Sequence, residues 1–146
     1  MAGFHTQVKM TGYAFEDSQL TVKLHSGITT ADIGKALTQD TAADNTMKLA
    51  GDGDAIHGIL LSVEDRTVEG QLIGVCSFWF AAKLPIKSGL AGQEVVARGS
   101  RICGAGGGEV KAIDFSGTPT AAVTAKYAAA PVVWAVSGLV ASATKF

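Results

Sequence analysis

Between Ile28 and Ala112 the chain sets short aliphatic runs against glycine-rich turns, and that stretch closes on Gly104-Ala105-Gly106-Gly107-Gly108-Glu109-Val110-Lys111-Ala112. Apolar side chains recurring at every second residue suit a half-buried strand, whose side chains alternate between two faces. Eighteen glycines in 146 residues, against about ten for an average composition, supply positions where the backbone turns sharply or approaches another chain closely. The pattern predicts a mainly β chain: a small single-domain β-barrel or β-sandwich with Gly-rich turns, an extended N-terminal arm and little helix.

Length and composition narrow the possibilities. A chain of 146 residues matches one domain. A hydrophobic fraction of 47% with 17% charged residues excludes a disordered chain. Aromatics make up only 7%, so Val, Ile, Leu and Ala must build the core. A formal net charge of -1 gives no general attraction to nucleic acid or to an anionic membrane, and neither is expected as a partner. No basic region followed by an apolar core opens the chain, so no signal peptide is expected. The apolar stretch from Ala128 to Ala143 is interrupted by Pro131 and Gly138 and is shorter than the roughly 18 residues that span a bilayer; it is read as buried in protein.

Met1 to Ser18 mixes His5, Gln7, Lys9, Glu16 and Asp17 with isolated Phe4, Tyr13 and Phe15. Without sustained periodicity it reads as an arm (1–18) preceding a β-rich domain (19–146). Leu20, Val22 and Leu24 alternate with Thr21 and Lys23 as in a strand, and Ser26-Gly27 turns the chain. Thr30 to Leu37 reads as a short turn entering a strand. A tight loop at Ala50-Gly51-Asp52-Gly53-Asp54 separates Met47-Lys48-Leu49 from a buried strand, Gly58 to Glu64, with Asp65-Arg66-Thr67 reversing direction. Leu72 to Cys76 and Phe78-Trp79-Phe80 continue the β reading, and Gly74 suggests a bulge or a close neighbour. Gly104 to Gly108 predicts a hairpin turn that closes a compact barrel. Ala121 to Ala130 has helix-compatible composition that Pro131 must end, before a last strand over Val132 to Val136.

Few side chains suggest chemistry. The Gly104–Gly108 run lacks the third glycine of Gly-x-Gly-x-x-Gly, since Glu109 stands there, and it lacks the Gly-Lys-Ser/Thr ending of a phosphate loop. Asp44, Asp52, Asp54 and His57 are the best candidates for a hard cation, but without the order of an EF-hand they read as a solvated acidic turn. No nucleophile elbow or recognisable acid/base pair occurs. No enzyme activity, metal or cofactor is expected, and no catalytic residue is assigned. Cys76 and Cys103 lack the spacing of a zinc or redox pair and read as buried free thiols.

The phrases Ile28-Thr29-Thr30-Ala31-Asp32-Ile33-Gly34-Lys35-Ala36-Leu37, Met47-Lys48-Leu49-Ala50-Gly51-Asp52-Gly53-Asp54, Gly58-Ile59-Leu60-Leu61-Ser62-Val63-Glu64-Asp65 and Gly104 to Ala112 resemble the head decoration, or capsid cement, proteins of tailed bacteriophages, a small β-rich family similar in plan to the lambda head decoration protein. The resemblance covers a little over half the chain. It implies a structural virion protein on the outer surface of an icosahedral head, commonly a trimer, that binds the major capsid protein and stabilises contacts between its subunits. Phe4, Tyr13, Phe15, Val132 and Trp134 are the candidate partner-binding residues. The alternative is a β-barrel module that binds a glycan or other ligand on the virion surface, with Trp79 and Trp134 as platforms.

Overall fold

The computed structural model describes residues 19–78, 81–118, 120–137 and 140–144. The candidates Phe4, Tyr13, Phe15 and Trp79 lie outside them.

Five strands close into a barrel: β1 (Gln19–Leu24), β2 (Ala36–Gln39), β3 (Thr46–Leu49), β4 (Gly58–Arg66) and β5 (Gln71–Ser77), ordered β1-β3-β2-β4-β5. All neighbours are antiparallel except β1 and β3, which run parallel. The expected small β-barrel is present, but the glycine-rich hairpin does not close it. That hairpin, β7 (Ile102–Gly104) and β8 (Val110–Ala112), forms a separate two-stranded sheet. A third sheet takes the order β6-β10-β9, with β6 at Ala81–Pro85, β9 at Val132–Ser137 and β10 at Val140–Thr144.

Alternation along β2 and β4 explains how one barrel supports two cores. Leu37 and Leu60 point inward to join Val22, Leu24, Ile28, Met47 and Cys76. Their neighbours Ala36 and Ile59, paired across the two strands, point outward and pack with Leu84, Val96, Ile102, Val110 and Val133. The single aliphatic core expected from composition is therefore divided by the barrel wall. Each fully buried leucine contributes about 1.5–3 kcal/mol relative to an exposed one.

The strand β4 is not buried throughout, as its composition suggested. Burial stops after Leu60, where the register with β5 jumps from Leu60↔Cys76 to Ser62↔Val75. Leu61 is the extra residue of this bulge, and bulges bend and twist a strand. Beyond it β4 continues through Asp65 and Arg66, and the reversal falls two residues later than expected, at Thr67–Glu69. Opposite the bulge, a Cβ on Gly74 would stand 2.4 Å from the Ser62 carbonyl and 2.7 Å from Leu24 Cδ1, so the close neighbour anticipated at this glycine is real.

The helix α1 (Ala121–Ala129) buries no residue and is held by polar ties. Thr120 Oγ1 accepts from the Val123 N–H at its start, and Arg101 Nη1 donates to the Ala130 carbonyl just beyond its end (2.9 Å). The guanidinium also lies 5.6 Å from the Tyr127 ring centre, and Tyr127 meets Phe115 edge to face. Pro131 then ends the helix and β9 begins, as the sequence predicts.

Candidate functional site

The acidic loop after β3 belongs to a structural junction. Backbone bonds mesh it with the β7–β8 hairpin: Gly53 N–H donates to the Gly104 carbonyl and Gly104 N–H to the Asp54 carbonyl, both at 2.9 Å. A Cβ on Gly104 would fall 2.2 Å from the Gly51 carbonyl oxygen, so only glycine lets the two backbones approach this closely. The run Gly106-Gly107-Gly108 turns the hairpin entirely at positive φ.

Lysines neutralise this junction. From β8, Lys111 Nζ reaches Asp52 Oδ1 at 2.9 Å and also Glu94 Oε1. Lys126 of α1 donates to the Gly53 carbonyl, and Lys87 donates to the Ala105 carbonyl at 2.9 Å. Hydrogen bonding to Lys111, reinforced by its charge, holds the Asp52 carboxyl below its ordinary range. The same bonds to Asp52 and Glu94 raise Lys111 above the ordinary lysine value. Asp54 Oδ2 accepts from Gly51 N–H at 2.9 Å, and the Asp54 N–H donates back to the Gly51 carbonyl.

His57 stands elsewhere. Its Nδ1 lies 3.2 Å from both Gln39 N–H and Thr38 Oγ1, at the barrel mouth, and the Gln39 contact makes that nitrogen an acceptor. Asp44 sits in the exposed turn before β3, where its carbonyl accepts from Thr46 Oγ1. The structure thus keeps Asp52 and Asp54 on one loop, each with its own partner, and places His57 and Asp44 elsewhere. Among the described residues no three His, Cys, Asp or Glu side chains gather where they could hold a metal ion. Cys76 and Cys103 are both buried and are not joined in a disulfide, and burial raises the Cys103 thiol, which keeps it protonated and poorly nucleophilic.

A different region offers a contact surface. The sheet β6-β10-β9 has two outer strands, and they differ in character. β6 carries Lys83 and Pro85, residues that discourage another strand from pairing. β9 carries Val132, Val133, Trp134, Ala135 and Val136 without a charge. Among the described residues, its outer edge is covered only at its start, where Val133 exchanges hydrogen bonds with Gly99 and Ser100 and Val132 bridges to Arg101.

Trp134 occupies a special place on that strand. Against β10 the register passes from Ala135↔Ser142 directly to Val133↔Ala143, which leaves Trp134 as the extra residue of a bulge. Bulges re-aim side chains. Val133 turns into the core at 1% exposure while Trp134 stands 64% exposed and Val136 43%. Of the two candidate partner residues here, Trp134 is displayed and Val132 is half-buried. Sequence reading singled out Trp134 by type; its bulge depends on register with β10, a strand not anticipated.

Among the described residues no helix is long and apolar enough to cross a membrane. Comparison of the chain with protein-family models, with curated proteins and with solved structures finds no match.

Proposed function

We propose that this chain is a structural virion protein that binds the outer surface of an icosahedral phage capsid, contacts the major capsid protein and stabilises its subunit contacts. The observation that carries this reading is Trp134, an indole displayed by a bulge on the uncharged edge strand β9. Tryptophan is the residue type most enriched among contacts that dominate protein interfaces, and an edge without gatekeeping charges is open to another chain.

The four phrases that resemble the decoration family support the same reading through their placement. They build β2, β3, β4 and the meshed hairpin, together with the lysine-bridged loop between them. These parts make a connected scaffold, in which Asp32 pairs with Lys35 and Asp52 with Lys111. A scaffold of this kind suits a lattice, where many identical weak contacts add up. Self-association into a trimer covers part of the exposed apolar strip in this reading.

Co-sedimentation with heads lacking their decoration protein tests it. Wild-type protein saturates such heads at a fixed stoichiometry, and Trp134→Ala weakens binding by about tenfold or more, as loss of an interface hot spot does. Absence of wild-type binding contradicts the proposal. Exposure of Trp134 also favours one other reading, a glycan-binding surface, which predicts saturable quenching of tryptophan fluorescence by a soluble glycan that disappears in Trp134→Ala.

A further inference from the structure

The barrel is splayed at one end. β1 begins at Gln19 but pairs with β3 only at Lys23↔Thr46 and Leu24↔Met47. Across this seam the Lys23 and His25 N–H groups donate to the Asn45 and Met47 carbonyls at 3.0 and 2.9 Å. Backbone groups alternate sides along a strand, so Gln19 and Thr21 face the same seam, where no β3 residue is paired with them. Leu20 and Val22 turn their backbone groups the other way, toward Cys76 and Gly74 of β5. Among the described residues, a short piece of β1 therefore presents an unpaired main-chain edge beside the barrel seam.

Beside that edge lies a cleft of about 360 Å³, with Leu20, Val22, Met47 and Phe78 contributing apolar surface and Gln39, Asn45, Thr46 and His57 polar groups. Leu20 is 53% exposed although Val22, next on the same face, is 3% exposed. Leu20 and Val22 thus carry apolar surface from the core out to solvent. Among the described residues, no ionisable side chain other than His57 lines the cleft.

We propose that this cleft receives an extended, uncharged segment of the major capsid subunit, added as a strand along Gln19–Val22. The inference rests on the decoration reading above and names the part of the partner that this site takes. An unpaired main-chain edge is satisfied by another extended backbone, and apolar ground beside it selects apolar side chains at alternate positions of the incoming strand. A charged segment would leave its charge desolvated there without a partner. A compact small molecule would fill the apolar ground but leave the Thr21 N–H and carbonyl unmatched.

Thr21→Pro removes the N–H that faces the cleft and leaves the β1–β5 bonds of Leu20 and Val22 in place; Thr21→Ala keeps that N–H. Leu20→Asp places a charge on exposed apolar ground and decides the matter if the proline variant does not fold. Both Thr21→Pro and Leu20→Asp are expected to bind undecorated heads at least about tenfold more weakly than wild type, the scale of losing a central contact. Thr21→Ala binds as wild type. Hydrogen exchange adds a second readout: the Thr21 amide becomes protected only on heads. Wild-type binding by a folded Leu20→Asp variant overturns the cleft proposal and leaves the decoration reading standing, whereas failure of wild type to bind heads overturns both. Protection of the Thr21 amide in the free protein would mean that residues 1–18 or a second copy already fills the cleft, and overturns it as well.

Discussion

Lys111 Nζ lies 2.9 Å from Asp52 Oδ1 and ties β8, a strand outside the barrel, to the loop that follows β3. Sequence separates the two residues widely, and the ion pair forms because Gly104 lets the loop and the hairpin touch. The pair has a defined pH signature. Asp52 is held below its ordinary value of 3.8, so its contribution to stability is present above that value and is lost as pH falls through the lower folded value. Lys111 is raised above its ordinary 10.5, so its contribution is fully present below that value and is lost only as pH rises past the higher folded one. Melting temperatures of wild type and Asp52→Asn should differ most between these limits and converge in acid below 3.8. A difference that persists unchanged at pH 2 would show that the carboxylate does not act through Lys111.

The two cores make neighbouring residues of β4 costly for different reasons. Leu60→Ala hollows the barrel and Ile59→Ala hollows the packing outside it, and each should lower unfolding free energy by about 2–5 kcal/mol in denaturant melts. Leu61→Ala, at the 38% exposed bulge position, should change it by no more than about 0.5 kcal/mol. Equal losses at all three positions would contradict the division of the core.

Gly104→Ala forces a methyl group against the Gly51 carbonyl oxygen, a backbone atom that moves only if the loop moves. A clear drop in melting temperature is expected. Gly117→Ala meets nothing within 4 Å and serves as the control, with a melting temperature within a few degrees of wild type. If both variants melt alike, the close approach is not a constraint.

Light scattering coupled to size exclusion should report a multiple of 14.9 kDa, with three copies expected from the trimer reading. A Trp134→Ala variant that stays oligomeric places the contact elsewhere; a strict monomer for wild type across all concentrations counts against self-association in free solution.

Much of this architecture was legible where structure is local. The alternation of Val22 and Leu24 locates β1, Pro131 marks the change from α1 to β9, and Gly106 to Gly108 mark the hairpin turn. Features set by pairing between distant segments were not. The barrel closes through a parallel contact, Lys23↔Thr46, which no periodicity announces. β10 gives no clear signal in the sequence because Ala141, Ser142 and Ala143 have weak strand preference, and without β10 the bulge at Trp134 has no register to violate. The open edge at Thr21 was equally hidden, since it exists only because β3 pairs with β1 two residues further on.

A charged substitution on the β9 edge tests that contact surface without disturbing the fold. Val136→Lys leaves the core untouched, because Val136 is 43% exposed, and a lysine on an edge strand discourages pairing and apolar contact. Its melting temperature should match wild type while its binding to undecorated heads falls. Retained binding would move the contact surface away from β9.

The most direct test is cryo-electron microscopy of undecorated heads incubated with purified protein. The expected result is regular extra density on the outer capsid surface at one class of lattice position, into which the five-stranded barrel fits with Trp134 directed at a neighbouring chain. Heads that show no added density at saturating protein, or density confined to their interior, would contradict an outer-surface decoration role.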